Sequence, residues 1–158
     1  RRLVILASED VGNADPRALV VAVAAMQATE FVGLPECQLP LAQAVTYLAL
    51  APKSNACTTA IGAARRDVRE QAVIPVPRHL QDKHYAGATR LGHGAGYAYA
   101  HDAPDGIAAQ EYLGVDKRYY EPTDRGLERD LAERLAEIRR RLAARPADTD
   151  RRPPAAPR

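Results

Sequence analysis

The chain has 158 residues, of which 46% are hydrophobic and 27% are charged, the composition of one soluble globular domain. The net charge of +2 is too small to indicate nucleic-acid binding, and the longest apolar run, from Ala18 to Met26, is far shorter than the roughly 20 residues of a membrane span. Tryptophan is absent and phenylalanine occurs once, so the core must consist of Ala, Leu, Val and Ile, which favours closely packed helices over a β-sandwich.

The first half of the chain predicts four helices joined by short turns. Their ranges are about 2–11, 15–32, 36–51 and 54–71, read from apolar spacing and from turn residues. Asp15 followed by Pro16 is a typical helix start, and Ser54 or Asn55 provides another. The second helix is apolar nearly all round, as a central helix would be. The predicted fold class is therefore all-α, a helical bundle.

The second half predicts a long irregular segment and a final helix. Prolines and glycines interrupt residues 72–106, and such a segment is usually functional or forms an interface. Asp105 is expected to cap a short helix over residues 106–112. The final helix is expected to begin at Thr123-Asp124 and to carry an apolar stripe. We predict a helical domain over residues 1–145 and a disordered Pro/Arg-rich tail over 146–158.

Two polar junctions stand between apolar stretches, at residues 8–16 and 51–56. The carboxylates of the first could bind a divalent cation, but a helix–turn–helix corner capped by Asp15 is the favoured interpretation, because calcium loops need alternating ligands. Lys53 and Ser54 at a helix start could hold an anion, although capping is the commoner use of Ser54. We refer to these as the signature residues: Glu9, Asp10, Gly12, Asn13, Asp15, Pro16, Pro52, Lys53, Ser54 and Asn55.

No catalytic site is recognised in this chain. All four histidines fall between residues 79 and 101, but their spacing matches no familiar zinc pattern, so a metal-dependent hydrolase is the least favoured hypothesis. The sequence Gly92-His93-Gly94-Ala95-Gly96 neither follows a strand nor opens a helix and is expected to be a flexible loop. A phosphate-binding Gly-x-x-x-x-Gly-Lys-[Ser/Thr] motif does not occur. We therefore predict no bound cofactor and no metal in this chain.

Two groups of residues are candidates for binding macromolecules. Aromatic and histidine side chains of the irregular segment and its flank are candidates for a subunit interface: His79, Tyr97, Tyr99, His101, Asp102, Tyr119 and Tyr120. The basic end of the last helix offers candidate DNA contacts at Arg134, Arg139, Arg140 and Arg141, although neighbouring acids favour a solvated face. An autonomous DNA-binding module using this helix and the paired tyrosines is the alternative hypothesis.

Several short motifs in one order resemble a known family. Besides the two junctions they are Leu41-Ala42-Gln43-Ala44, Tyr47-Leu48-Ala49, Val76-Pro77-Arg78-His79-Leu80, Tyr99-Ala100-His101-Asp102 and the run from Tyr119 to Glu128. Together they resemble the C-terminal region of the replication-associated recombination protein A family. That family is the bacterial branch of the AAA+ ATPases related to the Werner-helicase-interacting protein.

The resemblance implies a helical domain similar to the collar domains of clamp-loader subunits, which assembles the protein into a homotetramer. The chain is then expected to be a fragment that lies downstream of an ATPase module, and ATP and magnesium are expected only in that module. The complete protein would be a cytoplasmic, nucleoid-associated, DNA-dependent ATPase acting at stalled replication forks, near fork DNA and single-strand-binding protein. No membrane association is expected.

Overall fold

The computed structural model describes residues 1–70 and 74–143, and within these ranges the chain is helical without any β-strand. The α-helices are α1 (Arg2–Leu6), α2 (Arg17–Val32), α3 (Gln38–Leu50), α4 (Ala56–Glu70), α5 (Ala88–Leu91) and α6 (Glu128–Ala143). The all-α prediction is confirmed. The predicted end of the fourth helix at Gln71 and the tail over 146–158 lie outside the described residues.

The chain divides into two compact units, which are described separately. The first unit comprises residues 1–74 and 115–134, and the second comprises 75–114 and 135–158. The core of the first unit consists of small and medium side chains: Ala7, Val11, Ala18, Ala22, Leu48 and Ala51. Helix α2 packs chiefly against α3, and alanine at the contact allows their backbones to approach closely.

The corner between α1 and α2 has the form that the sequence predicts. Helix α1 continues as a π-helical turn, Ala7–Val11, which is followed by a 3₁₀ turn, Gly12–Ala14. Gly12 has φ +53°, a conformation that glycine adopts without strain. The Asp15 carboxylate accepts a hydrogen bond from the Arg17 amide at 3.1 Å, so Asp15 satisfies a free N–H at the start of α2.

The predicted short helix over residues 106–112 is wrong. Asp105 has φ +59° and Gly106 has φ +69°, so the chain turns away from helical geometry where a cap was expected. The Gln110 side chain then accepts a hydrogen bond from the Ala98 amide at 3.0 Å and donates one to the Ala98 carbonyl at 2.9 Å. These two bonds attach the loop of residues 107–112 to the backbone of Ala98.

The final helix begins later than predicted, at Glu128 instead of Asp124. Gly126 has φ +52°, which is incompatible with a continuous helix through that position. The Leu127 amide instead donates to the carbonyl of Ala14 at 2.9 Å. Among the described helices, none has both the length and the apolar character needed to cross a membrane.

Candidate functional site

A completely buried carboxylate, Glu128, lies at the start of α6 and receives four hydrogen bonds. The Ser54 hydroxyl donates to Oε2 at 2.6 Å, and Thr123 donates to the same oxygen from its hydroxyl at 2.7 Å and its amide at 2.9 Å. The Tyr120 hydroxyl donates to Oε1 at 2.7 Å. Burial alone would raise the pKa of Glu128, but the bonds from Ser54, Thr123 and Tyr120 outweigh burial and lower it.

The same carboxylate gathers residues from distant parts of the sequence. Asn13 donates from Nδ2 to the Tyr120 hydroxyl at 3.2 Å, so the first junction reaches the carboxylate through that tyrosine. Ser54 represents the second junction, and its hydroxyl also accepts from the Ala56 amide at 3.2 Å, as the capping prediction requires. We call these residues the Glu128 cluster: Asn13, Ser54, Tyr120, Thr123 and Glu128.

Glu128 is a residue that sequence reasoning missed as a site. In the sequence, Glu128 is only the last residue of the motif that begins at Tyr119. A single glutamate at a helix start normally faces water, so this position alone does not distinguish it as a site. The available signal was its setting: hydroxyl-bearing Tyr120 and Thr123 stand just before it, and an apolar stripe follows it. Ser54, Tyr120 and Thr123 donate to the carboxylate and Asn13 donates to Tyr120, so these bonds fasten both junctions to the start of α6.

The two junctions also contact each other through their backbones. The Ser54 amide donates to the Asp10 carbonyl at 2.7 Å, and the Thr58 hydroxyl donates to the Glu9 carbonyl at 3.1 Å. A Cβ on Gly12 would lie 3.0 Å from the Ser54 carbonyl oxygen, so glycine permits this close approach. Pro52 and Asn55 are exposed beside this contact.

Lys53 acts at the end of α3. Its ammonium group donates to the carbonyls of Leu48 at 2.7 Å and Ala51 at 2.5 Å. A cation at this position matches the partial negative charge of a helix C-terminus. This arrangement supports the capping interpretation of the second junction over the anion-binding one.

Asp15 is mostly buried and links α2 to α3. The Tyr47 hydroxyl donates to Oδ2 at 2.6 Å, and Arg17 donates to Oδ1 from its amide and its Nε, each at 3.1 Å. Burial alone would raise the pKa of Asp15, but these bonds lower it. The corner interpretation of the acidic junction is supported, since Asp15 serves helix packing and Pro16 follows it with helical φ of −64°.

Tyr119 and Tyr120 are both occupied within the first unit. Tyr119 donates from its hydroxyl to Asp67 Oδ2 at 2.8 Å, and Lys117 donates to the same oxygen at 2.6 Å. Tyr120 belongs to the Glu128 cluster. Both side chains are only partly exposed, so the structure gives these two predicted interface residues a fastening role in their own unit.

In the second unit, three predicted interface residues line one open cavity of about 460 Å³: His79, Tyr97 and Tyr99. The His79 Nε2 atom lies 2.7 Å from the Glu111 carbonyl oxygen. Both tyrosine side chains are exposed. The structure therefore brings these residues to one concave surface.

The remaining histidine-segment residues make contacts in pairs. His101 stacks at an angle on Tyr99, with ring centroids 5.0 Å apart, and both His101 and Asp102 are exposed. His84 pairs with Asp82 at 2.8 Å, and His93 accepts or donates at 2.6 Å with the Tyr85 hydroxyl. Over residues 1–70 and 74–143 no group of three or more His, Cys, Asp or Glu side chains is arranged to hold a metal ion.

The arginines near the end of α6 are partly neutralised by acids of the second unit. Glu137 accepts from Arg140 at 2.6 Å and from Arg141 at 2.7 Å, and Arg141 also pairs with Asp105. Arg134 is exposed and Arg139 is half-buried. The geometry matches the solvated face favoured from the sequence, while a DNA contact at these positions stays a prediction.

The largest feature that sequence reasoning missed is the outward surface of α2 and α3. The apolar pattern of α2 predicted a central helix, yet Val20 is 67% and Phe31 is 91% exposed. On α3, Leu39 is 74% and Leu50 is 88% exposed. These two helices contain two charged residues in total, Arg17 and Glu30. Exposed apolar side chains in such numbers are typical of helices that another protein surface covers.

Comparison with known proteins places these features in context. Residues 1–139 match the family described as MgsA AAA+ ATPase C terminal. An uncharacterized AAA domain-containing protein of Mycobacterium tuberculosis is 55% identical over 88% of this chain, and replication-associated recombination protein A of Escherichia coli is 47% identical over 86%. Each match covers 31% of the relative, so the chain spans about a third of their length. ATPase WRNIP1 of Dictyostelium discoideum is 43% identical over 66% of this chain and 12% of its own.

Proposed function

The chain belongs to the MgsA AAA+ ATPase C-terminal family, related to replication-associated recombination protein A, and on this premise we propose that it is the self-assembly domain of such an ATPase. The assembly is a homotetramer. Its role is to bring four ATPase modules together, and the ATP and magnesium belong to those modules. Chemistry on nucleotides is not required of the residues in this chain.

The observation that carries this proposal is the apolar outward surface of α2 and α3. A monomeric protein rarely exposes side chains such as Phe31, Leu39 and Leu50 to water on two neighbouring helices. Those two helices together contain only two charged residues. Removing apolar surface from water contributes about 25 cal/mol per Å², so association of these helices has a ready driving force. The Glu128 cluster supports it by joining the two junctions to the start of α6 within the first unit, which also contains α2 and α3.

The complete protein is proposed to be a DNA-dependent ATPase that works in replication, recombination and repair at stalled forks. The names of the relatives support this: one is called a replication-associated recombination protein and another an ATPase. Fork DNA and single-strand-binding protein are the proposed partners of that complete protein, in the cytoplasm at the nucleoid.

Light scattering on a size-exclusion column tests the assembly role. Four chains of 17.1 kDa give about 68 kDa, and we expect this mass at micromolar concentration without nucleotide. A mass of 17.1 kDa across that concentration range would contradict the proposal, because assembly would then depend on other parts of the protein.

A further inference from the structure

Helix α2 has two faces that its sequence spacing separates cleanly. Ala18, Ala22 and Ala25 are buried, and they follow one another at the i, i+4, i+7 spacing of one helix face. A second row with similar spacing lies about half a turn around the helix from the first. It consists of exposed residues: Val20, Ala24, Gln27 and Phe31. We call this second row the outer stripe of α2.

The outer stripe carries no charge that would oppose contact with its own copy. It contains no charged residue, so two copies can face each other without like charges being brought together. Arg17 precedes the stripe and is already paired with Asp15 at 3.1 Å. A basic or acidic partner would find no complementary charge on the stripe, whereas a second outer stripe is equally apolar.

Building on the proposed self-assembly, we propose that the outer stripe of α2 packs against the outer stripe of α2 in a second copy, antiparallel about a two-fold axis. In this register Phe31 lies opposite Val20 of the second copy, and Ala24 lies opposite Gln27. A large side chain thus meets a smaller one at each position, and Ala24 lets the helices approach closely. Antiparallel alignment also opposes the two helix dipoles favourably.

The first test compares the mass of an outer-stripe variant with that of a matched control. The stripe variant is Val20→Lys with Phe31→Lys. The control is Ile61→Lys with Val68→Lys, which changes two apolar residues, 51% and 74% exposed, on α4, a helix that carries five charges. We expect the stripe variant to fall to half the parent mass or less, while the control keeps the parent mass. Circular dichroism melting of each variant reports whether the fold is intact.

The outcomes separate this inference from the proposed function. If the parent assembles and the folded stripe variant keeps its full mass, the stripe contact is overturned and self-assembly stands. If the parent is itself a monomer, both the stripe contact and the self-assembly role are overturned. The stripe is then a surface for the remainder of the complete protein.

A second test reads the contact directly and does not depend on loss of mass. In the double variant Val20→Cys with Phe31→Cys the two sulfurs of one helix are about 16 Å apart along its axis, too far for an internal disulfide. In an antiparallel pair the cysteine at position 20 of one copy lies opposite the cysteine at position 31 of the other. Oxidation should therefore yield a covalent dimer. The parent, with its own Cys37 and Cys57, is the control. Dimers from either single variant would contradict the antiparallel register, and no dimer from any of the three would overturn the contact.

Discussion

The Ser54 hydroxyl donates a 2.6 Å hydrogen bond to the carboxylate of Glu128, and both residues are buried although 74 positions separate them. Ser54 also accepts from the first amide of α4, and Glu128 is the first residue of α6. The starts of two helices are therefore joined through one side-chain contact. The four donors offset the cost of burying an ionised carboxylate, and each donor becomes expensive to bury once that carboxylate is removed.

Replacing Glu128 by Gln should destabilise the protein strongly. The side chain keeps its shape, but its amide nitrogen must face a hydroxyl that was donating to oxygen, and the charge that strengthened the remaining bonds is lost. Hydrogen bonds to a buried charge contribute about 1.5–3 kcal/mol each, so we expect a loss of about 2 kcal/mol or more. Urea unfolding followed by circular dichroism measures it. Glu133→Gln, an exposed position on the same helix, is the control, and an equal loss in both variants would contradict the prediction.

Acid should destabilise the protein through the same residue. Because the folded-state pKa of Glu128 is lowered, its ionisation adds stability that is complete above the pKa of an unfolded glutamate and is lost as pH falls through the folded-state pKa. We therefore expect the free energy of unfolding to decline below about pH 4.5. The decline should be shallower in Glu128→Gln. Urea titrations of both proteins between pH 3 and pH 7 measure the difference, and parallel curves would exclude Glu128 as the cause.

Gly126→Ala should be much more harmful than Gly92→Ala, although both glycines have positive φ, +52° and +72°. A Cβ at residue 126 would overlap the carbonyl oxygen of Ala14 and lie 2.8 Å from Pro52 Cγ, whereas one at residue 92 meets only the Arg78 guanidinium, at 4.0 Å. Both variants therefore bear the strain of a positive φ, about 1–3 kcal/mol, and overpacking adds about 1–3 kcal/mol at residue 126 alone. Thermal unfolding of the two variants side by side checks this. Similar midpoints would mean that the chain relaxes freely around Gly126.

The part of this fold that sequence could predict is the part set by local spacing and capping. Asp15 before Pro16, and Ser54 before α4, signal helix starts through interactions within a few residues, and the structure has both. Glu128 could not be found in this way. Tyr120 and Thr123 stand close before it, but Ser54 is 74 positions away and meets it only after folding, so the nearby residues alone do not show that this glutamate is buried.

The outward surface of α2 shows the converse limit. Val20 and Phe31 contribute the same apolar signal as residues of a core, so periodicity alone predicted that α2 is buried on all sides. The structure of one chain shows these side chains exposed. A long apolar pattern favours burial, but it does not say whether the covering surface belongs to the same chain or to another.

The basic end of α6 should contribute little to DNA binding. Arg140 and Arg141 already pair with Glu137, and Arg141 pairs with Asp105 as well, so a phosphate would have to displace existing partners. We expect the triple variant Arg139→Ala, Arg140→Ala, Arg141→Ala to change the affinity for a labelled single-stranded oligonucleotide by no more than about twofold. Fluorescence anisotropy at several salt concentrations measures it. A large loss with a flatter salt dependence would instead establish the DNA-binding alternative.

The tyrosines of the second-unit cavity should provide a second contact in the proposed tetramer. A tetramer with dihedral symmetry uses two different two-fold contacts, and the outer stripe of α2 is our proposal for one of them. Tyr97 and Tyr99 are exposed on one concave surface, whereas Tyr119 and Tyr120 are held within their own unit. Replacing Tyr97 and Tyr99 by Ala should therefore leave a dimer of about 34 kDa by light scattering, joined through α2. Leu91→Ala, an exposed residue of the same unit outside the cavity lining, is expected to keep the tetramer. A tetramer that survives loss of both tyrosines would show that the second contact lies elsewhere.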